Sequence, residues 1–82
     1  MPPRLRRLSA RDFLAILGSS GFEVVATRGS HAKLRRVTRD GERQTLTVPL
    51  HKDLDVGTLR AIYRQATRFI PESELRTSFY GD

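Results

Sequence analysis

The spacing of apolar residues changes twice along this chain, and the order of those periods restricts its fold more than any other feature. Phe13, Leu14, Ile16 and Leu17 fall on one face of a helix. From Phe22 the period shortens to two. Phe22, Val24 and Ala26 alternate with Glu23, Val25 and Thr27, and Ala32 and Leu34 alternate with His31, Lys33 and Arg35. Leu46, Val48 and Leu50 then alternate with Thr45, Thr47 and Pro49. The helical period returns in Leu59, Ile62, Tyr63 and Ala66. A helix, three half-buried strands and a second helix predict an α+β fold of order α-β-β-β-α, with a three-stranded antiparallel sheet and helices packed on one of its faces.

Local signals set the boundaries. Ser9 can cap the first helix, Asp12 stands at the capping-box position and Leu8 can pack on Phe13 as a hydrophobic staple, while "GSSG" ends the helix near Ser19. Gly29 and Ser30 give a two-residue reversal between strands at about 22–28 and 31–38. Asp40-Gly41 is the next turn pair, and Pro49, which lacks a backbone donor, closes the third strand or lies on an edge. Asp55 can cap the second helix. Pro71, followed by Glu72 and Glu74, predicts a short third helix, after which Phe79 or Tyr80 docks on the core. No repeat or linker divides the 82 residues, which are expected to form a single domain, 1–82, with a core at about 5–70 and a C-terminal appendage at 71–82.

Composition narrows the function. The chain has no Cys and only two His, a poor basis for a zinc site or a disulfide framework. Its longest apolar run, Phe13–Leu17, is too short for a membrane span, and the basic start is not followed by the apolar region of a signal peptide, so a soluble cytoplasmic protein without a membrane partner is expected. The net charge is +6, and thirteen of the fifteen cations are Arg, whose planar fork suits phosphate recognition. A polyanion is the natural partner; an acidic protein is the other reading.

Residues 28–36, "RGSHAKLRR", hold the candidate site. Period two places Ala32 and Leu34 toward the core, so His31, Lys33 and Arg35 share the opposite face. A histidine at a hairpin corner among cations is either a surface residue or a proton-transfer group.

Three stretches, "LSARDFLAIL", "GFEVVATRGSHAKL" and "LTVPLHKDLDVGTLRAIYRQA", together resemble the HicA-type mRNA interferase toxins over roughly residues 5 to 70. The ordered set Gly-Phe, Gly-Ser-His, Val-Pro-x-His and Gly-Thr-Leu carries the likeness. The resemblance implies a double-stranded-RNA-binding-domain-like fold, endoribonuclease activity on mRNA and inhibition by a cognate HicB-type antitoxin. The family's catalytic histidine falls on His31.

The residues suit that chemistry. RNA carries its own nucleophile, the 2′-hydroxyl, so neither metal nor cofactor is required. Imidazole, with an ordinary pKa of about 6.5, can act as general base or general acid near neutral pH. Arg28, Lys33 and Arg35 can hold the scissile phosphate, Gly29 allows close approach of RNA, and the Ser30 hydroxyl can orient His31 or bond a phosphate oxygen. His51 follows the third strand; a structural role is favoured for it over acid–base partnership with His31. Arg60, Arg64 and Arg68 form a stripe on the second helix that is solvated, tracks RNA or receives an antitoxin. A non-catalytic RNA-binding module, with His31 as one more contact, is the alternative function.

Overall fold

The computed structural model describes residues 4–81; residues 1–3 and 82, the ends of the expected 1–82 domain, lie outside the described residues. The chain runs β1 (Arg4–Leu5), α1 (Ala10–Ser19), β2 (Glu23–Arg28), β3 (His31–Val37), β4 (Arg43–Pro49), α2 (Val56–Ala66), α3 (Glu72–Phe79) and β5 (Tyr80–Gly81). Strands β2, β3 and β4 form an antiparallel sheet in that spatial order, with β3 in the middle. The α-β-β-β-α order is that of a double-stranded-RNA-binding-domain-like α+β fold, with α3 as its short C-terminal helix.

Both main helices start as their sequences dictate. The Ser9 hydroxyl accepts from the Asp12 amide and the Asp12 carboxylate accepts from the Ser9 amide, a complete capping box. The Asp55 carboxylate accepts from the Thr58 amide at 2.7 Å and caps α2. The backbone hydrogen bond from Ser9 lowers the pKa of Asp12 below the ordinary aspartate value, and that from Thr58 does the same for Asp55.

The core lies between the helices and one face of the sheet. Phe13 and Leu17 of α1 and Leu59, Ile62 and Ala66 of α2 meet Ala32, Leu34, Leu46 and Val48. Burial of these side chains is the main term holding the layers together, at about 25 cal/mol per Å² of apolar surface. The C-terminal segment belongs to the same core: Ile70, Leu75 and Phe79 are fully buried, Tyr80 is half-buried, and the Phe79 ring lies 4.7 Å from that of Phe13. A short ribbon that the periodicity does not reveal pairs β1 with β5, and the Arg6 amide donates to the Phe79 carbonyl at 2.7 Å.

Strand β2 departs from simple alternation. Its register with β3 shifts between Val24 and Ala26, a bulge at Val25 that moves Ala26 to the solvent face opposite Lys33. Val24 and Val25 are 49% and 46% exposed, so only Phe22, just before the strand, buries its side chain as the alternation suggests. The β4 edge is protected differently. Gln65 of α2 bonds both peptide groups of Thr47, accepting from its amide at 3.3 Å and donating to its carbonyl at 3.4 Å. Pro49 then ends the strand.

Candidate functional site

The helices cover one face of the sheet, and the other holds the candidate residues in rungs. The register aligns Arg28, His31 and Pro49 in the first rung, Ala26, Lys33 and Thr47 in the second, and Glu23, Arg35 and Thr45 in the third. Successive rungs lie about 7 Å apart, two residues along an antiparallel strand. Because Ala26 and Thr47 are short, the second rung dips beside Lys33. The result is a hollow of about 580 Å³ lined by Ala26, Thr27, Arg28, His31, Lys33 and Thr47.

The Gly29-Ser30 turn sets the end of this hollow. Gly29 has φ +58°, and no non-glycine residue among the described residues has positive φ, so glycine leads the turn as in the type II′ hairpin. That reversal brings Arg28 and His31 directly opposite one another. Gly29 and Ser30 are exposed at the rim but do not line the hollow. The Ser30 carbonyl accepts from the Leu50 amide, which continues the β3–β4 ladder to the turn and steadies it.

His31 and Lys33 are exposed, as period two requires, while Ala32 and Leu34 are each 1% exposed. Arg35 is partly buried one rung beyond the hollow, and its Nε, shielded from solvent, has no hydrogen-bond partner among the described residues. The ion pair found among the described residues is Arg76–Glu72 at 3.8 Å, far along the chain in α3. No carboxylate therefore pairs with Arg28, Lys33 or Arg35 there. No cluster of three or more His, Cys, Asp or Glu side chains is placed to hold a metal ion among the described residues.

His51 lies elsewhere. Its side chain lines a different hollow of about 680 Å³ with Ser9, Ala10, Arg11, Leu14, Leu50, Lys52 and Asp53, and its carbonyl accepts from the Ala10 amide at 3.4 Å. Pro49 is the residue opposite His31, and after the Leu50 amide bonds the Ser30 carbonyl the chain turns off the ladder and carries His51 to the start of α1. Ala26, Thr27 and Thr47 also line the first hollow, beyond the candidates that the sequence singles out. Thr47 was legible from the outward phase of "LTVP", whereas Ala26 was concealed by the bulge.

The dsRBD-like α+β fold thus presents, on its uncovered sheet face, an exposed histidine among cations that pair with no carboxylate among the described residues. The family model of the HicA toxin of bacterial toxin–antitoxin systems matches residues 10–67, from the first turn of α1 to the end of α2. The chain belongs to the HicA toxin family; it is the toxin of a toxin–antitoxin pair, with a cognate antitoxin as partner. No curated protein and no solved structure matches it significantly. No helix among the described residues is long and apolar enough to cross a membrane.

Proposed function

We propose that this toxin is an mRNA interferase, a cytoplasmic endoribonuclease that cleaves mRNA without a metal or cofactor and is inhibited by a HicB-type antitoxin. One observation carries the reading: His31 stands in an open hollow between Arg28 and Lys33, whose charges no carboxylate among the described residues neutralises. A phosphodiester seated there meets a proton-transfer group and two cations at once.

In the cleavage step the 2′-oxygen loses its proton and forms a bond to the adjacent phosphorus, while the bond from phosphorus to the 5′-oxygen breaks and that oxygen gains a proton. The products are a 2′,3′-cyclic phosphate and a 5′-hydroxyl. His31 acts as the base for the 2′-hydroxyl or as the acid for the 5′-oxygen, and water performs the other transfer. Arg28 and Lys33 stabilise the charge that builds on the non-bridging oxygens. Arg35 holds a neighbouring phosphate, Gly29 lets RNA approach the turn, and the Ser30 hydroxyl orients His31 or bonds a phosphate oxygen.

The test is incubation of the protein and its His31→Ala and His31→Gln variants with end-labelled mRNA in EDTA, with RNA binding and circular dichroism followed in parallel. Cleavage should leave cyclic phosphate ends and fall roughly 10²- to 10⁴-fold in the variants, while binding and fold persist. A rate that rises with pH identifies His31 as base, and one that falls identifies it as acid. RNA binding with no strand breakage by any of the three proteins would instead establish a non-catalytic RNA-binding module.

A further inference from the structure

A strand that enters the His31 hollow must leave over one edge of the sheet, and the two edges differ in chemistry. On β2, Arg28 belongs to the hollow itself, and beyond it the edge presents Glu23 and the half-exposed Val24 and Val25, acidic and apolar side chains that offer nothing to a second phosphate. At the β4 edge, Thr47 lines the hollow with its side chain and bonds Gln65 of α2 through its peptide groups. Gln65 in turn lines a second, shallower hollow of about 270 Å³ with Ala61, Arg64 and Arg68. One side chain thus separates the candidate site from the cationic face of α2.

That face is free to bind. Arg60, Arg64 and Arg68 are exposed and make no ion pair among the described residues. Arg60 to Arg64 is a step of about 6 Å along α2, comparable to the separation of successive phosphates in an extended strand, and Arg68 follows in the turn after α2 ends at Ala66, where it lines the second hollow with Arg64 and Gln65. Resting on the ribonuclease reading above, we propose that Arg64 and Arg68, with Gln65 between them, hold the phosphates of single-stranded RNA flanking the scissile one. The path bends from the open sheet face around β4 to the outer side of α2. A flexible single strand follows that bend, and a stiff duplex does not, so the strand held there is single-stranded.

The experiment measures affinity of the full chain for a 2′-O-methylated single strand of about twelve nucleotides, which lacks the attacking hydroxyl, across a salt series. The variant Arg64→Gln/Arg68→Gln should bind roughly tenfold more weakly. Its slope of log affinity against log salt should shrink by about 1.4, two contacts at about 0.7 each. Arg11→Gln/Arg39→Gln removes the same charge away from the track and should keep the wild-type slope. The same sequence as a duplex should bind more weakly than the single strand.

Wild-type affinity and slope in Arg64→Gln/Arg68→Gln, with His31-dependent cleavage of mRNA intact, would overturn the track while leaving the ribonuclease reading standing. Loss of the complex with the cognate antitoxin in that variant, with RNA affinity unchanged, would assign the stripe to the protein partner and also overturn it. Tighter binding of the duplex would refute the single-strand assignment. If the wild-type protein neither bound nor cut RNA, the proposed function itself would fail, an outcome visible before any α2 variant is made.

Discussion

Replacement of Arg36 by Ala tests how this small sheet is held to its helices. Arg36 lies on the core side of β3, and its guanidinium donates to three acceptors from separate parts of the chain. Nε donates to the Gln44 Oε1 at 2.9 Å, Nη1 to the Ser20 carbonyl at 3.0 Å and Nη2 to the Phe69 carbonyl at 2.8 Å, with a further bond from Nη2 to the same Gln44 oxygen. The guanidinium carbon also sits 4.8 Å from the centre of the Phe22 ring. It thereby joins the end of α1, strand β4 and the segment after α2. A hydrogen bond from a charged donor contributes about 1.5–3 kcal/mol, and a partly desolvated cation–π contact about 0.5–2 kcal/mol.

Water can reach part of this cluster and replace some of the lost bonds, but Gln44 is buried and would lose its partner. Arg36→Ala should therefore cost about 3–5 kcal/mol. A chain of this length has a total stability of about 4–12 kcal/mol, so the variant should lose at least about a quarter of it. In urea titrations followed by circular dichroism, with a slope of about 1–1.5 kcal/mol/M for so small a protein, the midpoint should fall by roughly 2–5 M. Adding Gln44→Leu to an Arg36→Leu variant should cost less than the sum of the two single changes, because the double variant leaves no orphaned carboxamide. A midpoint shift below about 0.5 M for Arg36→Ala would refute the assignment of Arg36 as a tie between layers.

Acid should destabilise the fold through its caps. Asp12 and Asp55 have lowered pKa values in the folded state, so the stability they contribute is fully present above the ordinary aspartate pKa of about 3.9 and is lost as pH falls through their folded values. Thermal melts from pH 6 downward should show this loss, and Asp12→Asn with Asp55→Asn should flatten it; an unchanged pH dependence would contradict the cap assignment. At the hairpin, a Cβ on Gly29 would meet no atom within 4 Å, so Gly29→Ala should cost only the left-handed backbone term, about 1–2 kcal/mol by urea titration. Wild-type stability in that variant would show that the turn does not require positive φ.

Much of the site was legible because its determinants are local. Alternation of Ala32 and Leu34 with His31 and Lys33 assigns the histidine to the uncovered face whatever the rest of the chain does, since neighbouring strand residues must point to opposite sides. The Ser9 and Asp55 caps and the Gly29-Ser30 turn likewise depend on residues a few positions apart. Arg36 shows where this reasoning stops: it occupies a core-phase position, but its acceptors include one 33 residues away.

The order of elements, their caps and the face of β3 that carries His31 can all be read from the residues alone, because hydrogen bonding and side-chain alternation act between close neighbours in the chain. Long-range packing is what takes His51 off the ladder toward α1, turns Ala26 into the hollow through the bulge at Val25, joins β4 to α2 through Gln65 and brings Arg6 to Ser78 across 72 positions. Those outcomes depend on strand register and on how the layers pack, and both are fixed by burial shared among residues distant in sequence.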